Sequence, residues 1–245
     1  MPRSTTRRQA TAMQPNDRYS RQTALPEIGP AGQEKLRQAR VLIVGVGGLG
    51  SPIALYLAAA GVGTLGLVDD DTVSVSNLQR QVLYVEAEVG QPKVHWAARR
   101  LQALNSELRV EAYPCRLTAA NAGELIARYD LVVDGCDNFA TRYLISDTCL
   151  RLGKPYVYGA IRGLEGQVAV LCTSPEAKTY RHLYPDEEEM LGLVPDKSVV
   201  GVTAALVGVT QASEALKLIC GYGEVLRDRL WTIDLRTLQS YILTL

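Results

Sequence analysis

Three features of this 245-residue sequence predict an α/β fold, in which a mostly parallel sheet carries helices on both faces. Short apolar runs recur between residues 40 and 150, and helical stretches separate them. Most of the runs contain no polar residue, which is typical of strands that are buried on both faces of a sheet. A glycine cluster follows the first run directly. Strands that alternate with helices in this way require a parallel sheet with right-handed crossovers.

Strands and helices alternate throughout this first part of the chain. The predicted strands are residues 41–44, 65–68, 110–113 and 131–133, and the predicted helices are residues 49–60, 92–104, 119–128 and 139–150. Gly61 would end the first helix, since glycine is common directly after the last helical residue. Pro92 would stand in the first turn of the second helix, where a proline is tolerated.

The pattern changes in the last part of the chain. Additional strands are predicted at residues 156–160, 166–171, 231–234 and 240–245, and one buried helix at residues 199–219. Residues 174–197 are polar and contain four consecutive acids at 186–189, so we expect a long crossover loop that is solvated and flexible. One domain is therefore predicted over residues 17–245, with a first part at 40–150 and a second part at 151–245.

The first sixteen residues differ from the rest of the chain. They contain three arginines and several Ser and Thr residues but no acid, a composition that transit peptides share. Because the segment lacks an amphipathic apolar face, we instead expect a disordered extension, or an upstream start before a functional Met13. Residues 1–16 are therefore left out of the predicted fold.

Composition and charge exclude several classes of protein. Lys+Arg and Asp+Glu are equal at 26 each, so neither a nucleic acid nor an acidic membrane surface is expected as the main partner. No apolar run reaches the roughly 18 uncharged residues that a membrane-spanning helix needs. The five cysteines are scattered without a C-x-x-C pair, which predicts reduced thiols and a cytoplasmic protein.

Residues 45–50, called the glycine loop below, fit the pattern G-x-G-x-x-G between a predicted strand and a predicted helix. The glycines of this loop are Gly45, Gly47, Gly48 and Gly50. They leave room for backbone N–H groups to approach a phosphate, and the start of the helix adds about half a positive charge. Asp69 ends the next strand, where a carboxylate accepts hydrogen bonds from ribose hydroxyls. The combination predicts a Rossmann-like nucleotide site.

The residues after this fingerprint favour a triphosphate over a dinucleotide. A triphosphate carries about four negative charges and usually needs extra cations and a magnesium ion held by a carboxylate. Arg80 and Lys93 are candidate cations, and Asp137, after another predicted strand, is the candidate magnesium ligand. Taken singly, each could equally be a solvated arginine, a lysine on a helix face or an aspartate that caps a helix.

Further motifs occur in order along the chain, and together they carry a family resemblance. They are Arg18-Tyr-Ser-Arg21-Gln22, Gly61-Val-Gly63, Ser76-Asn77-Leu78-x-Arg80-Gln81, Gly90-Gln-Pro-Lys93, Asp137-Asn138, Gly166-Gln167, Tyr180-Arg181-x-Leu183-x-Pro185 and Gln211-Ala-x-Glu214-Ala-x-Lys217. With these motifs, the sequence from about residue 17 onward resembles the MoeB/ThiF/HesA family of adenylating enzymes. The resemblance implies an ATP-dependent nucleotidyltransferase that joins AMP to the C-terminal glycine carboxylate of a small ubiquitin-like carrier protein ending in Gly-Gly, and releases pyrophosphate.

The resemblance also implies roles for individual residues. The nucleotide-binding residues would be the four glycines of the loop together with Asp69, Asp71, Asn77, Arg80 and Lys93. Asp137 would hold Mg²⁺, and Arg21 would reach the γ-phosphate region of the neighbouring subunit in a homodimer. Arg21, Arg80, Lys93 and Asp137 would be the catalytic residues, and residues 151–245 would bind the carrier.

The sequence departs from the family at two places. Many members bind a structural zinc ion through two C-x-x-C pairs, but the first pair would fall at residues 179–182, which lack cysteine, and the second near or beyond residue 245. We therefore expect no zinc. Some members carry a cysteine in the crossover loop that receives the activated carrier, whereas residues 173–219 contain none. Cys136 could be reactive, but we expect a small buried residue there. These departures argue against sulfur transfer by this chain and leave adenylation intact.

Three other functions remain open at this stage. The same site could adenylate a peptide or a small acid in a biosynthetic pathway, or the chain could be a non-catalytic partner subunit that kept the fold. The presence of every candidate site residue argues against a partner subunit. A nicotinamide oxidoreductase would share the glycine pattern, but no separate substrate domain follows the predicted sheet.

Overall fold

The computed structural model describes residues 18–194, 196 and 198–245, so the extension predicted at residues 1–16 lies outside the described residues. The strands are β1 (Arg40–Val44), β2 (Thr64–Val68), β3 (Arg109–Tyr113), β4 (Leu131–Asp134), β5 (Tyr156–Arg162), β6 (Glu165–Leu171), β7 (Arg229–Asp234) and β8 (Gln239–Thr244). The helices are α1 (Ser20–Thr23), α2 (Gly29–Gln38), α3 (Gly50–Ala60), α4 (Lys93–Leu104), α5 (Ala122–Ala127), α6 (Phe139–Leu152), α7 (Tyr180–Leu183), α8 (Glu187–Gly192) and α9 (Gly201–Cys220). Two short 3-10 turns, Val75–Asn77 and Glu86–Glu88, lie between β2 and α4.

These strands form one sheet in the order β3-β2-β1-β4-β5-β6-β7-β8. The pairs from β3 to β5 are parallel, and the pairs from β5 to β8 are antiparallel. The chain runs from β1 toward one edge through β2 and β3, and then returns to place β4 on the other side of β1. A crevice for a ligand is expected at this switch point, outside the carboxyl ends of β1 and β4. The predicted α/β fold, with a mostly parallel sheet and additional C-terminal strands, is confirmed.

Helices cover both faces of the sheet, because successive residues of a buried strand point to opposite faces. Ile43 of β1 belongs to the cluster that includes Leu57 of α3 and Val207 of α9. Its neighbour Leu42 belongs to the cluster on the other face, with Tyr143 of α6. All five side chains are buried, so the central strands are apolar throughout for the reason that the sequence pattern indicates.

The ends of the helices follow the predicted chemistry with two differences. Gly61 directly follows α3 in the left-handed conformation, with a φ of +89°, as predicted. Pro92 is the N-cap of α4 and does not lie in its first turn, and α5 begins only at Ala122. Helices α1 and α2 have no counterpart in the sequence prediction. Only Gly32 and Leu36 of α2 are buried, so this helix shows no apolar stripe in the sequence.

The prediction of a loop throughout residues 174–197 is wrong, because α7 and α8 lie in this segment. The acidic run begins α8, where Asp186 is the N-cap and accepts a hydrogen bond from the Glu189 N–H at 2.9 Å. Acids are favourable in a first turn, since the N-terminus of a helix carries a partial positive charge. The polar composition of the segment therefore indicates that it is exposed, but it does not indicate that the segment is partly helical.

Helix α9 is the one helix in the described part of the chain that has the length and apolar composition of a membrane span. It packs against α3, β5 and β6, and Val207, Ala212 and Ala215 are buried there. Central helices of globular domains meet the same criterion, and these contacts make α9 part of the core.

An ionic cluster stabilises the edge of the sheet at β3. The Glu111 carboxylate accepts hydrogen bonds from the hydroxyls of Tyr129 at 2.8 Å and Tyr113 at 2.9 Å, and from Arg40 at 3.1 Å. Burial alone would raise the pKa of Glu111, but these three hydrogen bonds outweigh burial and lower the pKa to about 2. The Glu111 side chain is 10% exposed, so solvent screens the contacts only in part.

Candidate functional site

A cavity of about 970 Å³ opens at the carboxyl ends of β1, β2 and β4, at the switch point of the sheet. Most of the predicted site residues line it: Gly45, Gly47, Gly48, Asp69, Asp71, Asn77, Arg80, Lys93 and Asp137. Gly50 and Arg21 are not among the described residues that line it. The structure thus brings nine predicted residues to one crevice, and their chemical roles stay predictions.

Two glycines of the loop permit backbones to pack closely. Gly45 has a φ of +87°, and a Cβ atom there would lie 2.6 Å from the carbonyl oxygen of Gly135. A Cβ atom on Gly50 would overlap the carbonyl oxygen of Gly45. Because backbone atoms cannot move aside as a flexible side chain can, these two positions are required by the fold itself.

The other two glycines leave the surface of the cavity open. A Cβ atom on Gly47 would meet only the amide end of the Gln81 side chain, at 3.3 Å. One on Gly48 would come 3.4 Å from the Arg80 side chain, whose Nη1 donates a hydrogen bond to Ser76 O at 3.1 Å. Neither contact involves backbone, so the missing side chains at these positions serve the approach of a ligand better than the packing of the fold.

The Asp69 carboxylate holds the glycine loop from the end of β2. Its Oδ2 accepts a hydrogen bond from the Val46 N–H at 2.8 Å, and its Oδ1 accepts one from the Asp71 N–H at 2.9 Å. Burial raises the pKa of Asp69, and the positive charge of Lys93 opposes this shift. Each carboxylate oxygen has a further lone pair, so Asp69 can accept ribose hydroxyls as well as position the loop.

Lys93 and Asp71 form an ion pair at the start of α4. The Lys93 side chain is 4% exposed, and its Nζ lies 2.8 Å from Asp71 Oδ2, whereas the Asp71 side chain is 69% exposed. A buried ammonium group is unfavourable without a partner. The sequence analysis assigns Asp71 to nucleotide binding. In the structure the Asp71 side chain contacts Lys93, and this ion pair orients the Lys93 ammonium group beside the cavity.

Asp137 is the exposed residue of the loop that follows β4. The next residue, Asn138, caps α6 by accepting a hydrogen bond from the Thr141 N–H at 2.9 Å. Mg²⁺ prefers oxygen ligands and usually takes one or two carboxylates together with substrate phosphates and several waters. An exposed carboxylate at the wall of a nucleotide-sized cavity fits that requirement, so Asp137 suits the predicted ion.

A second group of acids also lines the cavity. Carboxylate oxygens of Asp69, Asp70 and Asp71 come within 4.8 Å of one another. Asp71 is already paired with Lys93, and Asp69 already accepts two backbone hydrogen bonds. These contacts give Asp71 and Asp69 roles in holding Lys93 and the glycine loop.

A buried ion pair whose arginine, Arg142, lines the cavity has no counterpart in the sequence prediction. Asp134 is fully buried at the end of β4 and accepts hydrogen bonds from the Tyr156 hydroxyl at 2.6 Å and the Cys136 N–H at 2.9 Å. Arg142 Nε lies 3.4 Å from the same carboxylate, and its Nη2 donates to Cys136 O at 3.0 Å. Cys136 is thus fixed at both its N–H and its carbonyl, which positions Asp137 beside it. Arg142 lies on a predicted helix, where sequence alone cannot distinguish it from a solvated residue.

The thiol of Cys136 is buried, as expected. Burial, together with the charge of Asp134, raises the pKa of this thiol well above its ordinary value. Since the thiolate is the nucleophilic form of cysteine, the site disfavours attack by Cys136. All five cysteines of the chain are free thiols in the structure.

Arg21 lies at the far end of α3 from the glycine loop. The side chain of its neighbour Gln22 donates a hydrogen bond to Ala60 O at 3.0 Å, and Ala60 is the last residue of α3. The glycine loop precedes the first residue of that helix, and eleven residues span about 16 Å at 1.5 Å per residue. Arg21 therefore does not reach the cavity of its own chain.

The residues at the expected position of the first zinc-binding pair contact each other. Thr179 Oγ1 lies 3.0 Å from His182 Nδ1, and the same nitrogen is 3.1 Å from the Thr179 N–H donor. This pair caps α7 and holds Tyr180 in the core, where its ring lies 4.9 Å from that of Tyr143. The turn is therefore fixed by hydrogen bonds and aromatic packing, and the expectation of no zinc stays a prediction.

Comparison with known proteins agrees with this geometry. The ThiF family matches residues 19–244. The sulfur carrier protein adenylyltransferase of Thermus thermophilus is 51% identical over 225 residues, which cover 89% of this chain and 83% of that protein. The SAMP-activating enzyme E1 of Haloferax volcanii is 47% identical, over 89% of this chain and 81% of its own length. The probable adenylyltransferase/sulfurtransferase MoeZ of Mycobacterium tuberculosis is 48% identical, and this chain spans only 57% of its length.

Two solved structures of the same fold are more distant in sequence than these relatives. Escherichia coli MccB superposes with a TM-score of 0.82 at 22% identity, covering 94% of this chain and 70% of that one. PaaA superposes with a TM-score of 0.79 at 22% identity, covering 98% of this chain and 76% of that one. Likeness at this level shows the fold alone, whereas the names of the closer relatives confirm the predicted class of nucleotidyltransferase. By a match over nearly all of its described length, this chain belongs to the ThiF family.

Proposed function

We propose that this chain is an ATP-dependent adenylyltransferase that joins AMP to the C-terminal carboxylate of a small ubiquitin-like sulfur-carrier protein and releases pyrophosphate. The observation that carries the proposal is the one cavity that gathers the glycine loop, Asp69, Arg80, Lys93 and Asp137. The choice of a carrier protein as substrate is supported by the Thermus thermophilus relative, which is named a sulfur carrier protein adenylyltransferase.

The reaction needs neutralisation of charge more than transfer of a proton. A C-terminal carboxylate has a pKa near 3.5 and is already ionised at pH 7, so no general base is required. This anion must approach a phosphate of like charge, and negative charge develops on the departing pyrophosphate. Fixed N–H groups and cations that are aimed at such charge stabilise the transition state.

The chain supplies this stabilisation from several groups that meet at the cavity. N–H groups of the glycine loop and the start of α3 bind phosphate oxygens, and Asp69 accepts the ribose hydroxyls. Arg80 and Lys93 neutralise the triphosphate. In the structure the Lys93 ammonium group donates to Asp71 at 2.8 Å, so the triphosphate would compete with Asp71 for it. A magnesium ion held by Asp137 would add positive charge next to the leaving pyrophosphate.

A homodimer completes the site in this proposal. Arg21 lies about one helix length from the glycine loop of its own chain, so its predicted role at the γ-phosphate requires a second copy of the chain. Residues 151–245 bind the carrier, and the buried Cys136 takes no part. The product that leaves the enzyme is then the acyl-adenylate, which a separate sulfur nucleophile consumes.

Exchange of labelled pyrophosphate into ATP tests this function directly. We expect exchange only when a carrier that ends in Gly-Gly is present, and none with the same carrier after removal of its last glycine. Exchange with a peptide or a small acid in place of the carrier would favour the alternative substrate. If the chain binds ATP but exchanges no pyrophosphate with the intact carrier, a peptide or a small acid, it is a non-catalytic partner subunit and the proposal is refuted.

A further inference from the structure

Two side chains from outside the glycine loop hold the backbone of Val46, which lies inside it. The Val46 N–H donates to Asp69 Oδ2 at 2.8 Å, and the Val46 carbonyl accepts a hydrogen bond from the Tyr84 hydroxyl at 2.9 Å. We infer that Tyr84 is a positioning residue that fixes the glycine loop in the conformation that binds the phosphates of ATP. This inference rests on the proposed use of the loop for ATP.

The geometry of the peptide group connects the Tyr84 hydroxyl to the phosphate side of the loop. The carbonyl of Val46 and the N–H of Gly47 belong to one planar trans peptide, so they point in opposite directions. Tyr84 does not line the cavity, whereas Gly47 does. By holding the carbonyl on the buried side, the hydroxyl keeps the Gly47 N–H turned to the opposite side, where phosphate would bind.

Burial makes this hydrogen bond hard to replace. Val46 is fully buried and Tyr84 is 5% exposed, so water has little access to the carbonyl. Among the described residues, the Tyr84 hydroxyl is the hydrogen-bond donor to the Val46 carbonyl. A buried carbonyl that loses its donor is unfavourable, and the loop would then turn this peptide toward solvent and move the Gly47 N–H with it.

Tyr84 also joins the loop to the segment that carries two candidate phosphate ligands. The Tyr84 N–H donates to Gln81 O at 3.1 Å, and the N–H groups of Gln81 and Arg80 donate to Asn77 O at 2.9 and 3.0 Å. The Gln81 side chain is 4% exposed and packs beside Gly47. Residues 77–84 and the glycine loop therefore form one packed unit, whose two halves both face the triphosphate.

The Tyr84 hydroxyl stays protonated at neutral pH and can donate this hydrogen bond. Burial, followed by the negative charge of Asp69, raises the pKa of Tyr84 above its ordinary value near 10. A positioning role therefore predicts that loss of the hydroxyl changes ATP affinity without changing the pH profile of the reaction.

The test is Tyr84→Phe, which removes one oxygen atom and keeps the ring. The control is Tyr129→Phe, because Tyr129 is 1% exposed and its hydroxyl bonds to Glu111 at 2.8 Å, at the β3 edge of the sheet. For Y84F we expect calorimetry to show ATP binding weakened ~5- to 100-fold, the range that loss of one buried hydrogen bond allows. We expect the KM for the carrier to change by less than about twofold, and ATP binding by Y129F to match the wild type.

Melting temperatures make the test independent of any loss of stability. At one ATP concentration, the rise in melting temperature reports the affinity of the folded state, so the rise should be smaller for Y84F than for Y129F. Equal rises, unchanged ATP affinity in Y84F, or a parallel loss of affinity for ATP and carrier would overturn the inference and leave the proposed function standing. A wild-type chain that binds no ATP would overturn the proposed function and this inference together.

Discussion

Gly45 and Gly47 belong to one motif, but their substitution by alanine should affect different properties: stability at Gly45 and ATP binding at Gly47. At Gly45 a Cβ atom would lie 2.6 Å from a backbone oxygen, on a residue whose φ is +87°. At Gly47 it would meet only the amide end of the buried Gln81 side chain, at 3.3 Å, which must shift by a few tenths of an ångström. Gly45→Ala should therefore damage the fold, whereas Gly47→Ala should damage the site.

The structure sets the size of both effects. A non-glycine residue in the left-handed region costs about 1–2 kcal/mol, and overpacking against backbone costs about 1–3 kcal/mol more. A total of about 2–5 kcal/mol lowers the melting temperature of a domain of this size by roughly 4–20 °C. Gly47→Ala should cost less, about 1 kcal/mol or below, because a side-chain amide can shift where backbone cannot. If it displaces one N–H contact to phosphate, worth about 1.5–3 kcal/mol, ATP affinity falls ~10- to 150-fold.

Gly90→Ala separates the two parts of the cost at Gly45. Gly90 has a φ of +84° but open space around its Cβ position, so its alanine variant should show only the conformational cost. Thermal unfolding followed by circular dichroism and ATP titration of the three variants together give the comparison. The reasoning fails if Gly45→Ala melts no lower than Gly90→Ala, or if Gly47→Ala binds ATP as tightly as the wild type.

Three further changes probe other parts of the molecule. Asp137→Ala should lower kcat by orders of magnitude and change ATP affinity only several-fold, because metal stabilisation grows as pyrophosphate leaves; near-normal turnover with unchanged magnesium dependence would exclude Asp137 as the ligand. Arg21→Ala and Lys93→Ala proteins should each be nearly inactive in pyrophosphate exchange, and mixing them should restore part of the activity, since one site of the heterodimer then carries both groups. No recovery after verified subunit exchange would contradict a role of Arg21 in the partner's site. Glu111→Gln should destabilise the protein by about 1–2 kcal/mol at pH 7 in urea unfolding: a pKa lowered from 4.5 to about 2 corresponds to about 3 kcal/mol, and partial exposure of its arginine partners reduces this. Because the folded pKa lies below the unfolded one, this contribution is complete above about pH 4.5 and disappears as the pH falls toward 2, so a difference between variant and wild type that persists unchanged at pH 2 would refute the assignment.

The sequence predicts those parts of the fold in which burial alone determines the pattern of apolar and polar residues. Strands β1, β2 and β4 are buried along their whole length or nearly so, and their apolar runs show this directly. Helix α2 buries only two residues, and α8 buries none, so neither has a stripe that a periodicity could reveal. Their helical state comes from contacts and capping groups, such as the Asp186 side chain at the start of α8.

Sequence predicts nine of the residues that line the cavity, but it does not predict which of them contact each other. Glycine spacing and the acid after β2 indicate which residues meet, since strand ends of a parallel sheet share one edge. No spacing indicates that Asp71 holds Lys93, or that Asp134 holds Cys136 and the Tyr156 hydroxyl. Such contacts depend on side-chain directions that only the packed structure fixes.

The two loops of the site are built alike and support each other. The loop after β1 and the loop after β4 pack backbone against backbone, where a Cβ on Gly45 would meet Gly135 and one on Gly135 would meet Gly45. In each loop one residue, Val46 or Cys136, has its N–H bound by a strand-end aspartate and its carbonyl bound by a buried side chain. In the proposed function, the loop backbone that would bind phosphate and the segment that carries Asp137 are thereby held in place before ATP arrives. Preorganisation of this kind lowers a barrier because the groups need not reorient as charge develops, so in the proposed function the hydrogen bonds that fix the loops would contribute to catalysis without contacting the substrate.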